Sequence, residues 1–317
     1  MKPRRASSIL VALVIFASIS GLFSQVASPA APPQLDQSPL PNTDLISFRF
    51  SVVDSHGRFV AGLPKDAFTI LDNKQPQRII SFTNTDSPVS VGIVLDASRS
   101  LSEKSIQEAR EAVRNFIQTT DPRDEFFALA FNSPSETRIE NIRDPDAILR
   151  ALIEAQPKGA TPLLDSVYLA AEKIQHSRYD RRVLFLITDG RENDSRYKLE
   201  DVRRILQQSG VMLYAIGIVE GISLPSKAGF HIQTLLNDLS GPTGGRSFFP
   251  QSKTKLQEAF DKIALELRSQ YSVSYKPDNL VRDAKWNKVI IQVSVPPSGE
   301  KLTVVSKTGH FALPRGH

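Results

Sequence analysis

The sequence predicts an α/β protein, with a doubly wound, mostly parallel sheet flanked by helices and inserted in a small β-sandwich built from both flanks of the chain. Two observations predict this fold. Between about residues 88 and 268, short apolar runs alternate with helix-period segments, as in an open α/β sheet. Each flank shows only strand and turn patterns, with about three or four strands, which is near the lower limit for an independent sheet. Pairing the flanks in one sandwich is therefore the economical solution.

The chain begins with a segment that is typical of export signals. A basic start is followed by the apolar run 9–23 and then by small residues, so we expect a signal peptide over residues 1–31. The apolar run is short for a membrane span, which favours a mature chain without one and a periplasmic or secreted location. An uncleaved membrane anchor is the alternative. Residues 32–43 are rich in proline and read as a linker.

The N-terminal part of the sandwich is expected over residues 44–86. Residues 45–54 alternate in the manner of a strand, and a turn follows them. Further short strands and turns continue to residue 86, and no helix-period stretch appears before residue 100. The C-terminal part is expected over residues 270–313. Its predicted strands are 270–277, 286–295 and 301–307.

The inserted α/β domain is expected over residues 87–269. The most apolar strand should lie at the centre of the sheet, and it spans 181–189. The first helix carries apolar residues at helical spacing, and Gly210 closes a later helix. The predicted strands are 90–96, 126–132, 181–189, 211–219 and 244–250. The predicted helices are 102–120, 144–155, 163–175, 199–210 and 253–269.

Charge and motif content exclude several functional classes. The net charge is +5, but Lys2, Arg4 and Arg5 lie in the leader, and the remaining 36 basic and 34 acidic residues are not typical of a nucleic-acid-binding protein. The chain has no Cys, its five His are isolated, and no His-Glu-x-x-His motif occurs, which argues against a zinc enzyme. The glycines of 241–246 lack the ending of a phosphate loop, and no Gly-x-Ser-x-Gly elbow occurs.

Five oxygen-bearing residues form the candidate site. Asp96, Ser98 and Ser100 follow the strand 90–96, Thr161 lies in a Gly-Ala-Thr-Pro loop before a helix, and Asp189 ends the strand 181–189. In an open α/β sheet, ligands bind where the carboxyl ends of strands meet the following loops, so these oxygens could converge on one edge. Such a donor set suits a hard divalent cation, with Mg²⁺ as our prediction and Mn²⁺ or Ca²⁺ as alternatives.

These segments resemble the von Willebrand factor type A (VWA) domain, whose fold is a Rossmann-like α/β sheet. The resemblance rests on Asp-x-Ser-x-Ser, the Thr of the Gly-Ala-Thr-Pro loop, and Thr-Asp-Gly after a strand, and it covers roughly residues 88–268. The flanking runs 62–68, 71–79 and 306–312 also resemble an exported bacterial group of VWA-related proteins. In the family, the five residues form a metal-ion-dependent adhesion site. The resemblance implies that Ser98 and Ser100 bind the metal directly, Thr161 directly or through water, and Asp96 and Asp189 mainly through water.

The function expected from this site is binding rather than catalysis. Neutral hydroxyls leave much of the metal charge uncompensated, so an open coordination position would take an Asp or Glu side chain from a protein partner. We expect an extracytoplasmic, non-enzymatic module for adhesion or assembly, because no His or Lys in these segments is placed as a general base. The alternative is an enzyme, or an accessory subunit of an envelope enzyme complex, that uses the same metal site. The Arg-Glu-Asn-Asp run after Gly190 reads either as a solvated loop or as a rim that sets specificity.

Overall fold

A computed structural model describes residues 45–312 except 85, 99–100, 132–137, 143–145, 149, 151–161, 193–194, 278–284, 295–298 and 300. The predicted leader and linker lie outside the described residues. So does most of the predicted helix 144–155, of which residues 146–148 and 150 are described and helical. None of the described helices is long and apolar enough to cross a membrane.

The described strands and helices follow the predicted alternation. The strands are β1 Ile46–Val53, β2 Phe68–Asp72, β3 Gln75–Gln77, β4 Ile79–Thr83, β5 Ser90–Asp96, β6 Glu125–Phe131, β7 Arg138–Ile142, β8 Arg182–Thr188, β9 Met212–Gly217, β10 Ser247–Phe248, β11 Tyr271–Tyr275, β12 Trp286–Val293, β13 Thr303–Ser306 and β14 Gly309–Phe311. The named helices are α1 Glu103–Thr119, α2 Leu163–Ile174, α3 Leu199–Ser209, α4 Lys227–Ser240 and α5 Lys253–Arg268.

The central sheet has the order β10-β9-β8-β5-β6-β7. Its first five strands run parallel, and β7 is added antiparallel to β6 at the edge. The apolar strand β8 lies between β9 and β5, which confirms its predicted central place. Strand β7 was not predicted: its sequence, RIENI, is largely polar and lacks the apolar run that marks a buried strand.

Helices cover both faces of this sheet, which confirms the doubly wound fold. Helices α1 and α5 pack on one face, where Phe116, Phe185 and Phe260 form an aromatic cluster with centroid distances of 4.8 to 5.9 Å. Helices α2, α3 and α4 pack on the other face. Helix starts follow local chemistry: the Ser102 hydroxyl caps α1 by accepting a hydrogen bond from the Ser105 amide at 3.1 Å.

Two antiparallel sheets are built from both flanks of the chain. Their orders are β13-β1-β11-β4 and β14-β12-β2-β3. The N-terminal flank supplies β1 to β4, and the C-terminal flank supplies β11 to β14. A shared apolar core between them includes Phe48, Phe50, Ile70, Val273 and Ile291. Neither flank would complete either sheet alone, which is the arrangement that the sequence predicts.

Helix α5 leads from the central sheet into this sandwich over a very short connection. It ends at Arg268, and β11 begins at Tyr271. Near this end of α5, the buried Glu266 accepts a hydrogen bond from the Ser51 hydroxyl of β1 at 3.1 Å and pairs with Arg246 at 3.1 Å. One carboxylate therefore links the closing helix, the start of β10 and the sandwich.

Candidate metal-binding site

Three of the five predicted site residues lie at the carboxyl ends of two adjacent strands. Asp96 is the last residue of β5, Ser98 follows two residues later, and Asp189 comes directly after β8. Strands β5 and β8 are parallel partners, with Leu95 opposite Ile187, so both acids reach the same edge of the sheet. Ser100 and Thr161, the other two predicted residues, lie outside the described residues.

Asp96 is fully buried and held by two donors. Its Oδ1 accepts the Ser98 backbone N–H at 2.9 Å, and its Oδ2 accepts the Thr188 hydroxyl at 2.7 Å. The Ser98 hydroxyl also bonds this carboxylate. Thr188 in turn accepts the Gly190 N–H at 3.0 Å, so it connects the Asp96 carboxylate to the turn after β8. Thr188 was not predicted as a site residue, although it stands directly before Asp189 in the sequence.

The site has more negative charge than its immediate partners compensate. Burial raises the pKa of Asp96 to about 6, and the charge of Asp189 adds to this effect, while hydrogen bonds from Ser98 and Thr188 oppose it. Asp189 is also buried, and it pairs with the Arg191 guanidinium at 3.3 Å. The Arg191 side chain is 53% exposed, so water screens the pair. Two buried carboxylates near one exposed cation suit a further, compact cation.

Gly190 gives the loop after β8 its path. Its φ of +75° is left-handed, and a Cβ at this position would clash with Cγ2 of Ile232 in α4. The Arg191 N–H, just beyond the turn, donates to Asp189 Oδ1 at 3.0 Å. A glycine is therefore needed both for the turn and for the close packing of α4 that fixes Asp189.

The same loop caps the helix that follows Thr161. Glu192 Oε2 accepts the Leu164 N–H at 2.9 Å, and the Ser195 hydroxyl accepts the Asp165 N–H at 3.2 Å. These amides belong to the first turn of α2, where free N–H groups and the helix dipole favour an acidic partner. In the opposite direction, the Asp165 carboxylate of α2 accepts the Arg196 N–H of the loop at 2.8 Å.

This exchange of hydrogen bonds changes the interpretation of the Arg-Glu-Asn-Asp run. Glu192 acts as a helix cap, so it is neither a purely solvated residue nor free to form a specificity rim. Asn193 and Asp194 lie outside the described residues. The loop that carries Asp189 is thus tied to the start of the helix that Thr161 precedes.

The donor chemistry of this edge fits a hard cation. Carboxylate and hydroxyl oxygens are the ligands that Mg²⁺, Mn²⁺ and Ca²⁺ prefer. Within the described ranges, no group of three or more His, Cys, Asp or Glu side chains is arranged to hold a metal ion. A cation here would therefore depend on serine and threonine hydroxyls as well as on the two acids.

Known proteins resemble this chain over the α/β domain and, in some comparisons, over most of its length. Residues 90–262 match the family model of the von Willebrand factor type A domain. Inter-alpha-trypsin inhibitor heavy chain H4 of Homo sapiens is 23% identical over an alignment of 222 positions, which covers 64% of this chain and 23% of that protein. The chain thus spans less than a quarter of the length of that curated relative.

Two solved structures illustrate the structural likeness. The von Willebrand factor type A protein from Catenulispora acidiphila aligns with a TM-score of 0.45 and 14% identity, covering 86% of this chain and 75% of that one. The pilus adhesin SpaC from Lactobacillus rhamnosus GG, in an open conformation, aligns with a TM-score of 0.48 and 11% identity, covering 82% of this chain and 49% of that one.

The family match begins at the first residue of β5 and ends within α5, so it takes in both strands that carry Asp96 and Asp189. It covers more than half of the 317 residues, and the sheet order and helix placement agree with it. The chain belongs to the von Willebrand factor type A domain family.

Proposed function

We propose that this protein is an exported, metal-dependent binding module that captures an acidic side chain of a protein partner. The observation that carries the proposal is the pair of buried acids, Asp96 and Asp189, at the ends of adjacent strands, with the Ser98 hydroxyl beside them. Ser98, Ser100 and Thr161 would hold Mg²⁺ with their hydroxyls, and Asp96 and Asp189 would neutralise part of its charge. Mn²⁺ and Ca²⁺ are the alternative ions.

The residues around the site support these separate roles of the hydroxyls and the acids. The Thr188 hydroxyl and the Ser98 amide fix the Asp96 carboxylate, and the Arg191 amide fixes that of Asp189. Held in this way, the two acids act as oriented acceptors. When bound, the cation supplies a Lewis-acidic position for a carboxylate oxygen from outside the protein. The loops after β5 and β8 would form the rim of the surface on which the partner docks.

We assign binding rather than catalysis to this site. Among the described residues, the partners that hydrogen bond or ion-pair with Asp96 and Asp189 are Ser, Thr and Arg groups, with no His or Lys. A general acid or base would require a group that exchanges a proton with a substrate at the site. The assignment rests on this chemistry and on family membership.

The proposal includes the organisation of the chain. Residues 1–31 serve as a signal peptide, and 32–43 form a linker to the sandwich. The VWA domain, 87–269, is inserted between the sandwich parts 44–86 and 270–313. In this organisation, the two flanks would hold the domain that carries the metal-binding edge.

Metal titration of the purified protein by calorimetry tests the site. We expect one Mg²⁺ or Mn²⁺ to bind, and we expect Asp96→Ala and Ser98→Ala to abolish binding while circular dichroism shows an unchanged fold. Asp261→Ala, which removes an exposed acid of α5, is the matched control and should bind as the parent does. Unchanged metal affinity in both site variants would contradict the proposed site.

The proposed partner chemistry has its own test. Proteins captured from the native envelope in Mg²⁺ should be released by EDTA, and the Asp96→Ala variant should not capture them. Replacing one Asp or Glu of a captured partner should then remove the interaction. A partner that binds equally well with EDTA would place the interface elsewhere on the protein.

A further inference from the structure

A cavity lies where the VWA domain meets the sandwich. Its volume is about 250 Å³, and both parts of the chain line it. The sandwich contributes Arg49 from β1 and Lys307 just after β13, and the VWA domain contributes Arg181 and Arg182 at the start of β8. Arg181 is buried, and the other three cations are half-buried. The cavity is smaller than the roughly 300–1,000 Å³ typical of sites for drug-sized ligands, so its size suits a small one.

The charges that line this cavity are unbalanced. Asp180 is the one acid among the described lining residues, and its side chain is 91% exposed and 3.6 Å from Arg182. Arg181 pairs with Asp86 at 3.0 Å, outside the lining. Four cations thus line the cavity, whereas the Asp180 side chain lies mainly in solvent.

Two of the four cations contact neutral groups. Arg49 donates to the backbone carbonyl of Asp180 at 2.7 Å, and the Lys307 ammonium lies 4.4 Å from the centre of the Phe48 ring. Burial lowers the pKa of Lys307 to about 8, and the charge of Arg49 lowers it further. Burial also lowers the pKa of Arg49 to about 10, with Arg181 adding to the effect. Asp180 opposes the shift of Arg49 only in part, and like charges withdrawn from water are unfavourable unless a further anion joins them.

We propose that this cavity binds a small oxyanion of the phosphate class, either inorganic phosphate or the phosphate group of a small phosphomonoester. Guanidinium groups match the geometry of phosphate oxygens, and a dianion suits several cations better than a single carboxylate does. The ligand would contact Arg49 and Lys307 on one side and Arg181 and Arg182 on the other. Binding would therefore fasten the VWA domain to the sandwich and raise the stability of the whole, because the ligand binds the folded protein only. This inference is independent of the metal site.

Calorimetry and thermal unfolding with inorganic phosphate test the proposal, at constant ionic strength and without divalent metal. We expect saturable binding of one phosphate and a melting temperature that rises with phosphate concentration. Lys307→Met and Arg49→Gln should each weaken binding about tenfold or more, since each removes a charge-assisted hydrogen-bond donor. Lys262→Met removes an exposed cation of α5 and is the control, with unchanged phosphate affinity.

Loss of binding in Lys307→Met would not result from misfolding. That variant removes an uncompensated cation, so without phosphate it should melt at the same temperature as the parent or higher. The absence of saturable phosphate binding to the parent, or a phosphate affinity in both cavity variants equal to that of the parent, would overturn the proposal. Glycerol phosphate identifies the source: its binding at the same site admits phosphomonoesters, and its exclusion assigns free phosphate.

Discussion

The two ends of strand β8 carry opposite chemistry. At its amino end, Arg181 and Arg182 belong to a cavity of four cations, and at its carboxyl end Asp189 lies beside the buried Asp96. Seven residues separate the ends by roughly 20 Å, at about 3.3 Å per residue. Each end withdraws like charges from water and leaves them incompletely neutralised. The comparison shows how one apolar strand can separate two charge clusters that would otherwise neutralise each other.

The clusters differ in how they are held. Backbone amides and a threonine hydroxyl fix the acids within one domain. The cations come from two parts of the chain, and Arg49 of the sandwich donates to the backbone carbonyl of Asp180 in the VWA domain. We therefore expect metal binding at the acidic end to depend on the geometry of the turn after β8. Phosphate binding at the cationic end should depend on the junction between the VWA domain and the sandwich.

The largest expected effect is that of Gly190→Ala. The added methyl group would clash with Ile232, and alanine is disfavoured at a φ of +75°, so we expect a loss of about 3 kcal/mol in the free energy of unfolding together with loss of metal binding. Gly210→Ala is the matched control: its φ is +63°, but the space around it is open, so about 1 kcal/mol is expected. Urea denaturation measures both. Equal losses in the two variants would show that packing of α4 does not fix the turn.

A smaller effect is expected at Thr188. Thr188→Ala removes the hydroxyl that orients Asp96 Oδ2, and we expect metal affinity to fall about 10–100-fold, as for other residues that position ligands. Thr188→Ser keeps the hydroxyl and should retain affinity within a small factor. Calorimetry with Mn²⁺ compares them. If the two variants bind the metal alike, the hydroxyl has no part in positioning Asp96.

The smallest effect concerns the pH dependence of stability at the cationic end. Lys307 faces Arg49 of β1 and, across the cavity, Asp180, Arg181 and Arg182, and its pKa is about 8 when folded, against about 10.4 for an unperturbed lysine. Between these values the unfolded chain binds more protons, so this group makes the folded state more stable as pH rises. The parent should gain stability relative to Lys307→Met between about pH 8 and pH 9.5.

Urea denaturation across that pH range, without phosphate, measures the difference, and Lys262→Met serves as the control that should track the parent. A stability difference between the parent and Lys307→Met that stays constant with pH would contradict the charged, crowded state that we assign to Lys307.

The sequence predicted the acidic end because its signals are local. Apolar runs ending in Asp96 and Asp189 place both acids at strand ends, and parallel strands share that edge. The role of Thr188 could not be predicted, because a hydroxyl beside an acid becomes a positioning group only when β5 and β8 pair. The metal ligation of all five residues stays a prediction, with Ser100 and Thr161 outside the described residues.

The cationic end was beyond sequence reasoning for a different reason. Arg49, Arg182 and Lys307 are more than a hundred residues apart from one another, and each reads as an ordinary surface charge. Only the antiparallel pairing of β1 with β11 and β13, next to the start of β8, creates the cavity. The flanks were nevertheless predicted to form one sandwich, because neither has enough strands alone.

The central claim is that the two ends of β8 bind ligands of opposite charge independently. It is tested most directly by titrating the parent, Asp96→Ala and Lys307→Met with Mn²⁺ and, separately, with inorganic phosphate. Asp96→Ala should lose the metal and keep phosphate, and Lys307→Met should weaken phosphate binding and keep the metal. If either variant lost both ligands, or if both variants kept both, the assignment of two separate sites would be contradicted.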